Sequence, residues 1–131
     1  MSNILFVCKE NKYRSQIAEA LFNSMTAKHH ATSAAGKKPA KKVSKDAISL
    51  LKITYGIDMS QQKPKRLTKS LLDNSDRIII LCDPKDCILI PKSYAAEHWN
   101  IPKMETLDEG SKIKALGRLR QKIAELIAEL D

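Results

Sequence analysis

A chain of 131 residues, 43% hydrophobic and 29% charged, has the size and composition of one globular domain, residues 1–131, that needs no disulfide staples. No apolar run approaches membrane-spanning length, and the Met1-Ser2-Asn3 start lacks the basic region and long apolar stretch of a signal peptide. A cytoplasmic, membrane-free protein is therefore expected. The net charge of +8 attracts anions, but with 5% aromatic residues the lysine clusters lack the stacking platforms of a single-strand nucleic-acid binder. Solvated lysines that steer small anions are the preferred reading.

In chain order, residues 3–7 read as a buried strand, and Cys8 to Ser15 as a polar loop. Residues 16–29 read as a helix with Ile17, Ala20, Leu21, Ser24 and Met25 on its apolar face. Ala31 to Ala34 has the pattern of a short second strand, and 35–43, with Gly36, Pro39 and four lysines, that of a loop. Ser44 caps a helix that stops at Gly56 and buries Ile48, Leu51 and Tyr55. After a turn-rich stretch from Asp58 to Leu67, Thr68 caps a short helix. Arg77 to Leu81 then has the continuous apolarity of a central parallel strand. Ser111 is the expected cap of a last helix that carries Ile113, Leu116, Leu119, Ile123, Leu126, Ile127 and Leu130 on one side and is weakened slightly by Gly117.

Strands alternating with helices predict an α/β fold: one three-layer domain, a central, mostly parallel sheet with helices on both faces, and ligand sites at the carboxyl ends of the strands. Two apolar strands each lead into a cysteine, Cys8 and Cys82, so both thiols are expected at one edge of the sheet. Cys8 is followed six residues later by Arg14, with a helix beginning just beyond. A loop of this kind can turn its backbone N–H groups inward beside a helix N-terminus, while the arginine supplies a planar cationic fork for two oxygens of a tetrahedral anion. Positive surroundings favour the Cys8 thiolate, a nucleophile. The bare spacing also fits a half-buried structural cysteine with a surface arginine, and it is the strand–loop–helix context that favours anion binding.

The third thiol, Cys87, lies five residues past Cys82 across a proline-broken loop. Three readings compete for this pair: a thiol relay serving Cys8, a zinc site with His98, and two bystander cysteines. Zinc lacks a fourth ligand unless Cys8 is drafted, so no metal centre is expected of these residues. His29, His30 and His98 stand in no motif and read as structural or exposed.

The stretch Val7-Cys8-x-x-Asn11-x-x-Arg14-Ser15-Gln16-Ile17-Ala18-Glu19-Ala20 resembles the opening signature of the low-molecular-weight protein tyrosine phosphatase superfamily. The three cysteines resemble those of its thioredoxin-coupled arsenate reductase branch. Ser33-Ala34-Ala35-Gly36, the Cys82/Cys87 pair and Glu97-His98-Trp99-Asn100-Ile101-Pro102 extend the likeness over nearly the whole chain. The resemblance implies a phosphatase-like fold with the phosphate loop at the end of the first strand, and a monomeric enzyme that reduces arsenate. Lys9, Glu10, Asn11, Lys12, Tyr13, Arg14 and Ser15 would hold the oxyanion by loop amides and the arginine. Cys8 would attack arsenic, Cys82 would attack Cys8, and Cys87 would attack Cys82 to leave a Cys82–Cys87 disulfide for thioredoxin or a similar dithiol. Asn11 would shape the loop, and Ser15 would hydrogen-bond the nucleophile. No tightly bound cofactor is implied, but Asn11, Glu19 and Ser33 match a potassium site of some members. A phosphatase that protects Cys8 with the Cys82/Cys87 pair is the alternative, and a weakened oxyanion-binding or redox-sensing module is the third.

The chain departs from that pattern at several points. Lys103 and Met104 stand where relatives carry an Asp-Pro pair whose aspartate is the general acid, a group whose loss costs about two to four orders of magnitude in a step that needs it. Glu105 and Asp108 are the candidate replacements, competing with plain solvated carboxylates, and Asp83 and Asp86 lie close to the thiol pair. Glu10 puts a carboxylate into the anion loop, harmless if it points outward. Tyr13 either lines the pocket mouth or packs. Ile88 follows Cys87 where proline is usual.

Overall fold

Strand β1, Asn3–Cys8, sets out the sheet because its residues alternate between two apolar layers. Ile4 and Phe6 enter the larger core cluster, while Leu5 and Val7 enter a second cluster on the other face. β2 (His30–Ala35), β3 (Arg77–Ile80) and β4 (Ala96–His98) complete a four-stranded sheet in the order β2-β1-β3-β4, every pair parallel. The structure, a computed structural model, describes residues 1–82 and 90–131.

Helices α1 (Arg14–Met25), α2 (Lys45–Tyr55) and α4 (Glu109–Leu130) bury Ile17, Leu21 and Phe22, Leu50 and Leu51, and Leu116, Leu119 and Ile123 against the Ile4/Phe6 face. Helix α3 (Lys69–Asp73) covers the opposite face with Leu72, joined by Leu67, Ile90 and Tyr94. The expected α/β architecture, a parallel sheet with helices on both faces, is the one observed. Because β1 leads to β2 on one side and the chain returns as β3 on the other, a crevice opens at the carboxyl ends of β1 and β3, where open α/β sheets bind ligands.

Three expected caps hold: Ser44 Oγ accepts from the Ala47 N–H, Thr68 Oγ1 from the Leu71 N–H, and Gly56 closes α2 at a φ of 70°, which glycine adopts without strain. Elsewhere tertiary packing moved the expected features. Helix α1 spans 14–25 rather than 16–29: it starts where the anion loop ends, and β2 claims the chain from His30. Ser24 is exposed, and Ala18 and Phe22 take its expected place in the core. Tyr55 and Ile113 lie outside the core, at 37% and 46% exposure, because the faces turned inward are Ala47-Leu50-Leu51 and Ala115-Leu116-Leu119. The cap of α4 is Asp108, not Ser111: the aspartate accepts from the Ser111 N–H. Strand β4 carries no apolar alternation to announce it. Arg77 clamps it, donating from Nε and Nη2 to both oxygens of Glu97 at 2.7 Å.

Candidate active site

The loop after β1 is shaped from outside. Carbonyl oxygens of Cys8, Lys9, Glu10 and Lys12 accept from the N–H groups of Gly36, Lys37, Ala40 and Ser44 at 2.7–3.1 Å. A planar trans peptide places its N–H opposite its C=O, so the amides that follow these carbonyls face the other way, into the loop. The lysine-rich segment read as a mere connection is thus the loop's outer wall. Among the described residues no side chain caps the N-terminus of α1, and no acidic residue stands in its first turn, which leaves its partial positive charge for a ligand. The resulting concave site of about 80 Å³ has the scale of a single tetrahedral oxyanion. Cys8, Lys9, Glu10, Asn11, Lys12, Tyr13, Arg14, Cys82, Lys103 and Glu105 line it. Ser15 lies beneath rather than on the wall.

Asn11 holds the turn. It is fully buried with φ 56°, a left-handed conformation that asparagine tolerates better than most residues. Its Nδ2 donates to Ser15 Oγ at 2.8 Å and Ser33 Oγ at 2.9 Å, and its Oδ1 accepts from the Lys65 N–H and from Gln16 Nε2, each at 3.0 Å. Ser33 in turn donates to Glu19 Oε1 at 2.8 Å, and Lys65 Nζ stands 3.8 Å from the same oxygen. Asn11, Glu19 and Ser33 are therefore together, as the resemblance implied, but as links of one hydrogen-bond chain. Gln16 and Lys65 belong to that chain too, and no spacing rule in the sequence pointed to them.

Arg14 Nη1 donates to the carbonyls of Leu81 at 2.9 Å and Ile101 at 2.8 Å, which aims the guanidinium and ties it to the strand leading to Cys82. Cys8 is a free thiol at the floor, 7% exposed. The expectation of a favoured thiolate is corrected here. Burial pushes the thiol pKa up and outweighs Arg14 and the Lys9 N–H, both of which pull it down, with Glu105 adding a small upward push.

At the rim, Lys12 Nζ lies 3.8 Å from Glu10 Oε1 and 3.6 Å from Glu105 Oε2. Glu10 lines the site, and its half-exposed carboxylate is paired with Lys12. Tyr13 is buried, and its hydroxyl donates to Asp46 Oδ2 at 2.6 Å, so it packs and bonds while only its edge reaches the wall. Asp108 is removed from the proton donors: capping α4 lowers its pKa, and it does not line the site. Glu105 does line it, as does Lys103. Cys82 is 1% exposed, disulfide-bonded, and on the same wall as Cys8, as two strands ending at one sheet edge required. Cys87, with Asp83, Asp86 and Ile88, lies outside the described residues. His98 Nε2 is engaged by the Cys82 carbonyl, and among the described residues no cluster of three or more His, Cys, Asp or Glu is gathered for a metal. His29 bridges the Ser2 N–H and Asp131.

Known proteins resemble this chain in sequence and fold. An arsenate reductase of Staphylococcus haemolyticus is 32% identical over 98 residues, 73% of either chain. A solved arsenate reductase in its phosphate-binding state superposes with a TM-score of 0.87 at 26% identity over all of both chains. A thioredoxin-dependent arsenate reductase of Corynebacterium glutamicum superposes with a TM-score of 0.78 at 25% identity, over 98% of this chain and 61% of that one. The low molecular weight phosphotyrosine protein phosphatase profile matches residues 3–126, and with an anion loop, buried cysteine and aimed arginine in place the chain belongs to that enzyme family.

Proposed function

We propose that this chain reduces arsenate to arsenite, with Cys82 and Cys87 carrying the oxidising equivalents to thioredoxin or a similar dithiol. The observation that carries this reading is the presence of two thiol positions, Cys8 and Cys82, on one oxyanion-sized site whose rim holds Lys103 rather than an aspartate. The names of the relatives support it.

Arsenate binds to the loop amides and Arg14. Cys8 Sγ attacks arsenic, and its proton departs with the displaced oxygen as water, leaving a Cys8–S–As adduct. Ser15 Oγ accepts from Asn11, which leaves its own hydrogen to be offered to the sulfur. Among the described residues Glu105 is a wall carboxylate able to relay a proton, with Lys12 beside it. Cys82, once the external dithiol has reduced the disulfide it holds in this structure, then attacks Cys8. The S–As pair stays on arsenic, arsenite leaves with the Cys82 proton, and a Cys8–Cys82 disulfide remains. Cys87 attacks Cys82, its proton restores the Cys8 thiol, and the Cys82–Cys87 disulfide is reduced by the external dithiol in a reducing compartment such as the cytoplasm.

Family membership favours one rival, phosphomonoester hydrolysis through a phosphocysteine at Cys8. Arsenite formation with thioredoxin, thioredoxin reductase and NADPH decides between them. The proposal expects turnover to be abolished by Cys8→Ser, Cys82→Ser and Cys87→Ser singly. Aryl phosphate hydrolysis that survives Cys82→Ser, without arsenite formation by the wild type, selects the phosphatase.

A further inference from the structure

Glu19, Ser33 and Asn11 form a potential cation site behind the anion loop, and the hydrogen-bond directions decide what it can hold. Asn11 Oδ1 faces two donors, the Lys65 N–H and Gln16 Nε2, while Nδ2 faces the two hydroxyls. Turning the amide over would set its NH2 against both of those donors, so this orientation is the one the network permits. The carboxamide therefore presents hydrogens, not an oxygen, toward Ser33. Ser33 Oγ accepts from Asn11 and gives its proton to Glu19. Of the three residues the Glu19 carboxylate is the one charged donor left for a cation, beside a single remaining lone pair on Ser33 Oγ, and the Glu19 side chain is only 15% exposed. The donor set does not fit a potassium ion as it stands.

A cation is already there. Lys65 Nζ lies 3.8 Å from Glu19 Oε1. Its backbone is pinned on both sides, the N–H donating to Asn11 Oδ1 and the C=O accepting from the Ala35 N–H at 2.7 Å. The ammonium is thus tethered beside the carboxylate and gives up none of the translational freedom that a captured ion loses. A like charge at this spacing also opposes entry of a second cation.

We propose that Lys65 is a built-in counter-cation that takes the place of a potassium ion behind the loop, so that the loop's shape is independent of the monovalent ions in solution. This is a positioning role, carried through Glu19, Ser33 and Asn11 to the turn. It does not rest on the arsenate reading, because its readout is folding stability.

The experiment is thermal melting of the full chain in potassium, sodium or tetramethylammonium chloride at one ionic strength of about 0.15 M, where general screening is matched. The wild type should melt at the same temperature in all three. Lys65→Gln should melt lower by about 2–5 °C in tetramethylammonium chloride and recover at least half of that loss in potassium chloride. Lys65→Arg should stay insensitive to the ion. Adding Glu19→Gln to Lys65→Gln should abolish the potassium response, since the carboxylate that would draw the ion is gone. A wild type stabilised selectively by potassium overturns the proposal. So does a Lys65→Gln loss that potassium does not repair, which would make Lys65 an ordinary surface ion pair.

Discussion

The carbonyl oxygen of Leu81 accepts a 2.9 Å hydrogen bond from Arg14 Nη1, so the arginine of the anion loop is anchored to the residue preceding Cys82. The Ile101 carbonyl takes a second bond from the same nitrogen at 2.8 Å. Lysine cannot reproduce this fork and still present a planar face to the anion. Arg14→Lys is expected to lower arsenate turnover by about 10²–10³-fold, the size of effect seen when an oxyanion donor is removed, with the circular dichroism spectrum retained. Steady-state arsenite assays check it.

The Cys8 thiol, raised by burial, should be alkylated by iodoacetamide with a pH midpoint above the ordinary thiol value of about 8.5. Glu105 pushes in the same direction, since a nearby negative charge disfavours the thiolate, so Glu105→Gln should move the midpoint down. An upward movement would contradict the assignment. The raised value also means that folding binds this proton more tightly than the unfolded chain does. Stability from this group is therefore retained below the ordinary thiol value and lost as pH rises through the folded one.

Asp46 accepts from the Tyr13 hydroxyl at 2.6 Å and from Lys112 Nζ at 2.9 Å, joining the starts of α1, α2 and α4. The Tyr13 hydrogen bond, then that of Lys112, holds the carboxyl below its usual range, while burial, followed by Asp46, holds the Tyr13 phenol well above its own. A depressed carboxyl contributes stability that is present above about pH 3.9 and lost as pH falls through the folded value. With the side chain half-exposed, the contribution is about 1 kcal/mol after screening. Asp46→Asn should melt about 3–5 °C below wild type at pH 7, and the gap should close in acid below about pH 4.

Asn11→Ala removes the four side-chain hydrogen bonds to Ser15, Ser33, Gln16 and the Lys65 N–H and leaves alanine at a left-handed φ. The expected cost is about 2–4 kcal/mol in urea unfolding, with phosphate binding to the loop weakened in parallel by calorimetry. Retained phosphate affinity would separate loop shape from the network.

Local chemistry in the sequence determined much of this protein. The apolar run at 4–7, the caps Ser44 and Thr68, Gly56 and the two strand-ending cysteines each depend on neighbours within a few residues, and each stands where the pattern placed it. Cys8 and Arg14 were legible because a loop between a strand and a helix has few ways to bind an anion.

The rest depended on partners far away in the chain. The wall of the anion loop comes from residues 36–44, the anchors of Arg14 from Leu81 and Ile101, and the charge balance of Asn11 and Glu19 from Lys65. These are hydrogen bonds to backbone atoms or pairs formed across sheet and loop, and residue type carries no mark of them. Asp108 and Glu105 show the same division. Both are carboxylates three residues apart in one loop, but folding spends one on a helix cap and puts the other on the wall of the site. Even the state of Cys8 was decided there, because composition supplies the positive charges while only burial sets the desolvation that overcomes them.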